Sequence, residues 1–150
     1  MMITGCLFCW HIISFLLYEF FTYFRSFLFM NIMFHILIVE DNSSVRIALR
    51  TTLSRLGCHV TTAVSAENGI ELMKVFNFDA VFAALCVREK GGRSVARWVK
   101  AQSPKTRVFL VTSWKGDFDR TLLNFEGIHD VVRTPLQFNE LRDKLIENLG

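Results

Sequence analysis

Apolar and polar positions alternate in blocks along residues 35–150, and each block has the length and period of one secondary-structure element. His35-Ile-Leu-Ile-Val39 is a continuous apolar run closed by Glu40-Asp41, the pattern of a parallel strand buried on both faces. Asn42-Ser43-Ser44 then offers side-chain oxygens to the unpaired N–H groups of a helix start. Val45, Leu49, Leu53 and Leu56 recur at spacings of 4, 4 and 3. They predict an amphipathic helix with Arg46, Arg50 and Arg55 outside and Gly57 at its end. Residues 58–63 predict a short second strand and residues 66–76 a helix. Residues 80–85 and 108–111 are further apolar runs, separated by a helix over 92–101. A poorer helix over 116–125 and a fifth strand at Val131-Val132 follow. Phe138, Leu141, Leu145 and Leu149 form the stripe of a last helix.

Five strands alternating with five helices predict an α/β fold with a parallel sheet. Right-handed crossovers place helices on both faces. Ligands and chemistry in such sheets gather at the carboxyl ends of the strands. Those ends carry Glu40 and Asp41, Ala84 and Leu85, Thr112 and Ser113, and Arg133 and Thr134.

Composition divides the chain in two. Residues 1–34 hold only two charges, Glu19 and Arg25, with eleven aromatics, so the net charge of +3 rests on residues 35–150. With 51% hydrophobic and 21% charged residues in 150, intrinsic disorder is excluded. A net +3 is too small to imply nucleic-acid binding by itself. The apolar stretch of residues 6–24 suits a membrane span in length, which would leave the domain in the cytoplasm. Glu19 inside it and the absence of a polar linker argue against a span. The alternative is a natural start at Met30 or Met33, with translated upstream DNA before it. Cys6-Leu-Phe-Cys9 lacks the strand context of a redox motif, and His35, His59 and His129 lack metal spacing.

Ile36-Leu-Ile-Val-Glu-Asp-Asn42 resembles the opening of the response-regulator receiver domain. The resemblance extends across residues 35–150. Leu56-Gly57 with Val60 and Ala63, Phe78-Asp79 before the third strand, Val111-Thr112, and Gly127 and Pro135 at the family's spacing carry it. It implies a flavodoxin-like five-stranded parallel sheet of order 2-1-3-4-5 with helices on both faces. It also implies two-component phosphorelay signalling with a histidine kinase, a phosphotransfer protein or another receiver as partner. Nucleic acid is not expected as a partner, and the membrane only if the N-terminal segment is real. In the family, an acidic pair and a third aspartate bind Mg²⁺, and that aspartate accepts the phosphoryl group. A lysine before the proline, a hydroxyl ending the fourth strand and an aromatic on the fifth complete the switch.

Carried over by position, Glu40 and Asp41 match the acidic pair and Thr112 the hydroxyl. Ala84 occupies the phosphoacceptor position, Thr134 the lysine position and Val131 the aromatic position. Residues 80–88 hold no carboxylate, so a shift of register restores nothing. A methyl group neither attacks phosphorus nor ligates a metal, and Mg²⁺ seeks octahedral oxygen ligation. The expectation is therefore a pseudo-receiver with no catalytic residue, Mg²⁺ binding weak or lost, and action through protein contact. Arg88 is a candidate substitute cation between Glu40 and Asp41. Ser113 and Cys86 are the nearest alternative nucleophiles. Arg93, Arg97 and Lys100 share one helix face, which suggests either solvated charge or a basic surface for a tethered scaffold. Thr134-Pro135 is expected to be cis, as the family's equivalent bond often is. The pattern runs through Gly150, with an output domain expected to be absent.

Overall fold

The computed structural model describes residues 33–86 and 91–150. The proposals for residues 1–29, and nearly all of the 1–34 segment, therefore lie outside the described residues, as does Arg88. The chain alternates strand and helix throughout: β1 (His35–Val39), α1 (Ser43–Arg55), β2 (His59–Ala63), α2 (Ala66–Val75) and β3 (Ala80–Ala84). It continues through α3 (Gly92–Gln102), β4 (Arg107–Thr112), α4 (Arg120–Glu126), β5 (Asp130–Arg133) and α5 (Phe138–Leu149). All four strand pairings are parallel, and the sheet order is β2-β1-β3-β4-β5. The expected α/β fold, strand order and two-sided helix packing are all present.

The continuous apolar runs become central strands because both of their faces are covered. Leu37, Val39, Val81, Ala83 and Leu110 meet Val95, Ala96 and Val99 of α3 and Leu123 of α4 on one face. Ile36, Ile38, Phe82, Phe109 and Val111 meet Leu49 and Leu53 of α1 and Leu141 and Leu145 of α5 on the other. Phe82 and Phe109 are register partners and stack at 4.6 Å between ring centroids. Trp98 packs against the first of these cores.

The helix boundaries follow from capping. Asn42 Oδ1 accepts the N–H groups of Ser44 and Val45, which starts α1. Gly57 takes φ 86° just beyond it, a left-handed turn that glycine adopts freely. The fourth helix departs from expectation and begins at Arg120 rather than near residue 116. Asp119 is its cap, with Oδ1 accepting from Thr121 N and Leu122 N. Residues before it form a loop in which the Trp114 ring lies against Gly116, where a Cβ would collide with it.

One expectation about charge is corrected. Arg46 does not stand outside: it is half-buried and its Nη1 donates to the carbonyls of Glu40 and Asp41 at 2.8 and 3.1 Å. On the basic face of α3, Arg97 and Lys100 remain exposed while its cations also meet groups of α4. Arg93 and Arg97 reach the buried Glu126 carboxylate at 3.3 and 2.8 Å, and Lys100 donates to the Phe125 carbonyl. A carboxylate buried at the end of α4 needs cationic partners, and α3 supplies them.

Candidate functional site

The carboxyl ends of β1, β3, β4 and β5 surround a cavity of about 180 Å³. Glu40, Ala84, Thr112 and Thr134 line it, so four of the residues singled out in the sequence are brought together. Leu85, Cys86 and Ser113 share the lining. Parallel register explains the convergence: Val39 pairs with Ala83, Ala84 with Val111 and Thr112 with Arg133, so the strands end level. Leu85 N donates to the Val111 carbonyl and Thr134 N to that of Thr112, extending the ladder one step beyond β3 and β5.

Each group has a defined environment. Glu40 is buried and its Oε1 accepts the Asn42 N–H at 2.9 Å. Burial pushes its carboxyl above the ordinary carboxylate range, and the neighbouring Asp41 adds to this. The Asn42 N–H and the Arg46 guanidinium act in the opposite direction without cancelling it. Thr112 is buried and its Oγ1 accepts from Trp114 N at 3.1 Å, which commits the hydroxyl to the loop after β4. Ala84 presents a methyl group at the end of β3 and is 6% exposed. Behind it, Gly92 permits the start of α3 to lie on the Ala84 carbonyl, since a Cβ there would collide with that oxygen. The Thr134-Pro135 peptide is cis, as expected.

Val131 does not line this cavity; it lies beside a second one at β5. Arg46 and Trp114 are the contributors that sequence reasoning missed. The first was assigned outward by helical period, and the second acts through its main-chain N–H, which has no signal in side-chain identity. Among the described residues no group of three or more His, Cys, Asp or Glu side chains is gathered as a metal site requires. By the resemblance Ala84 stands where the family's third carboxylate belongs, and its methyl offers no ligand atom beside Glu40.

The profile of the response regulator receiver domain matches residues 36–146. The chain belongs to that family. It is similar to the transcriptional regulatory protein AfsQ1 of Streptomyces coelicolor, with 28% identity over 102 residues, 68% of this chain and 45% of that protein. It is also similar to the cell cycle response regulator CtrA of Brucella ovis, with 24% identity over 106 residues, 71% of this chain and 46% of that protein. The match thus spans about half the length of these curated relatives. Among solved structures, chemotaxis protein CheY4 of Vibrio cholerae superposes with TM-score 0.72 at 21% identity, covering 78% of this chain and 99% of that one. TrrA of Thermotoga maritima, solved with Mg²⁺ and BeF, gives 0.70 at 24% identity, covering 78% and 100%. The receiver domain described here is thus a two-component response-regulator module in fold and family. Among the described residues, no helix is long and apolar enough to cross a membrane.

Proposed function

We propose that this receiver domain is a pseudo-receiver: it engages a two-component partner by protein contact and does not accept a phosphoryl group. The observation that carries the reading is Ala84, whose methyl stands at the end of β3 in the cavity shared by Glu40, Thr112 and Thr134. By the resemblance, that is where the family's acceptor carboxylate belongs. Phosphoryl transfer also needs cations to offset charge on the equatorial oxygens. Thr134 supplies no charge before Pro135, and Arg46 spends an N–H on two main-chain carbonyls. The domain then offers a fixed surface rather than a phosphorylation-dependent one.

The partner is a histidine kinase, a phosphotransfer protein or another receiver. The surface of the first and last helices supports docking there: Ile47 on α1 is 62% exposed, and Phe138 on α5 is solvent-exposed beneath the Arg55 guanidinium. Affinity capture on the full chain, with and without acetyl phosphate and Mg²⁺, tests the reading. A two-component protein recovered equally in both conditions is the expected result. Recovery that depends on the phosphodonor overturns it.

A second reading keeps phosphorylation but moves it. Ser113 and Cys86 line the same cavity and are the nearest alternative nucleophiles to the acceptor position. Their substitution with Ala abolishes any covalent phosphorylation if this reading holds.

A further inference from the structure

No acid is exposed on α3 or α4. The α3 sequence contains neither Asp nor Glu, and the one acid of α4, Glu126, is buried. Glu126 sets its single negative charge against two cations, Arg93 at 3.3 Å and Arg97 at 2.8 Å. Lys100 stands one turn beyond Arg97 on the same side of α3, and both are exposed. Three cations thus meet one carboxylate, and the outward charge of the two helices is positive.

Exposed apolar side chains stand among these cations. Phe125 is 75% exposed, and Leu122, three residues before it on α4, is 43% exposed. Neither enters the core that Leu123 of the same helix joins. Lys100 links the charged and apolar groups. Its Nζ lies 5.2 Å from the centroid of the Phe125 ring and donates to the Phe125 carbonyl at 2.6 Å. A ring seated in a groove would be largely covered, so at this exposure Phe125 projects from the surface.

We propose that the α3–α4 face docks on an anionic phospholipid surface, with Phe125 and Leu122 in the headgroup boundary and Arg97 and Lys100 on the lipid headgroups. Segments that lie in the membrane interface combine these chemistries: cations for anionic lipid, Phe and Leu for the boundary with the acyl chains. A fluid bilayer accepts a projecting ring, whereas a folded protein partner has to supply a matching pocket. The surplus of cations with no exposed acid beside them suits the negative potential of such a leaflet. This docking does not depend on the Ala84 cavity or on any phosphoryl group.

The test is co-sedimentation of the full chain with vesicles of phosphatidylcholine alone and with vesicles carrying about 30% phosphatidylserine. Any partition contributed by the apolar residues 6–24 is common to both, so the excess on anionic vesicles is the readout. That excess should be about tenfold and should vanish in about 0.5 M NaCl. Arg97→Gln combined with Lys100→Gln should remove most of it. Phe125→Ala, at an exposed position, should lower it severalfold with the far-UV circular dichroism unchanged, which keeps the test open if the double variant fails to fold. Equal partition to the two kinds of vesicle, or an undiminished anionic preference in either folded variant, overturns the proposal. Saturable binding of deca-glutamate without a preference for anionic vesicles assigns the face to an acidic protein segment and overturns it too. A dimer that Phe125→Ala abolishes in sedimentation velocity assigns the face to a second copy, with the same consequence.

Discussion

Glu40 and His129 give the domain a pH dependence that can be worked out in sign. Burial and Asp41 raise the Glu40 carboxyl above its ordinary value, so the folded state holds that proton more tightly than the unfolded chain does. The resulting stability is present in acid and is lost as pH rises through and above the ordinary carboxylate value. Glu40→Gln keeps an oxygen for the Asn42 N–H and should raise the unfolding midpoint at pH 7. His129 runs the other way. Burial and Arg107 hold its pKa below 6.5, and Nδ1 accepts the Val108 N–H. Stability from this group is full above pH 6.5 and falls as pH drops through and below that value. Denaturant melts between pH 7 and pH 5 should show this loss in the natural chain, with a smaller loss in His129→Gln. The gathering of Glu40, Ala84, Thr112 and Thr134 at one cavity was legible in the sequence because apolar runs mark the strands and the family resemblance fixes the positions at their ends. The shifts themselves were not, since they depend on which groups three-dimensional packing sets beside each carboxyl or ring.

At the scale of elements, α3 and α4 are joined by charge rather than by exposed apolar contact. Glu126 is 4% exposed, while the Arg93 and Arg97 side chains are 39% and 65% exposed. Removing the buried partner should therefore cost more than removing either exposed one. Glu126→Ala is expected to destabilise by about 2 kcal/mol in chemical denaturation, and Arg97→Ala by less than about 1 kcal/mol. Gly127 closes α4 at φ 82°, and an added Cβ would press on Lys100, so Gly127→Ala should cost about 1–2 kcal/mol. The joint was hidden in the sequence because a helical period assigns Arg93, Arg97 and Lys100 to one face and says nothing of what covers it. The start of α4 was hidden for a related reason. The sequence reading opens the helix near Gly116, and the opening is set instead by Asp119 Oδ1, which accepts from Thr121 N and Leu122 N.

At the scale of the molecule, the sheet order and the strand ends follow from repeated βα units, and this is why the fold was readable throughout residues 35–150. The site inherits its position from that topology even where its chemistry has changed. Two cavities then divide the carboxyl-end region and the β5 edge, one holding Ala84 and the other Val131. Both are positions where the family resemblance expects a larger or more reactive side chain. Restoring one group tests whether the frame still supports the old chemistry. Ala84→Asp should lower stability in the absence of metal, because a third carboxylate joins Glu40 and Asp41, and millimolar Mg²⁺ should recover it. The natural chain should show no Mg²⁺-dependent change in midpoint.

The claim that Ala84 leaves the domain without an acceptor is tested most directly by intact mass spectrometry of the natural chain after incubation with acetyl phosphate and Mg²⁺. The mass should remain unchanged. An adduct of about 80 Da on the natural chain would contradict the account.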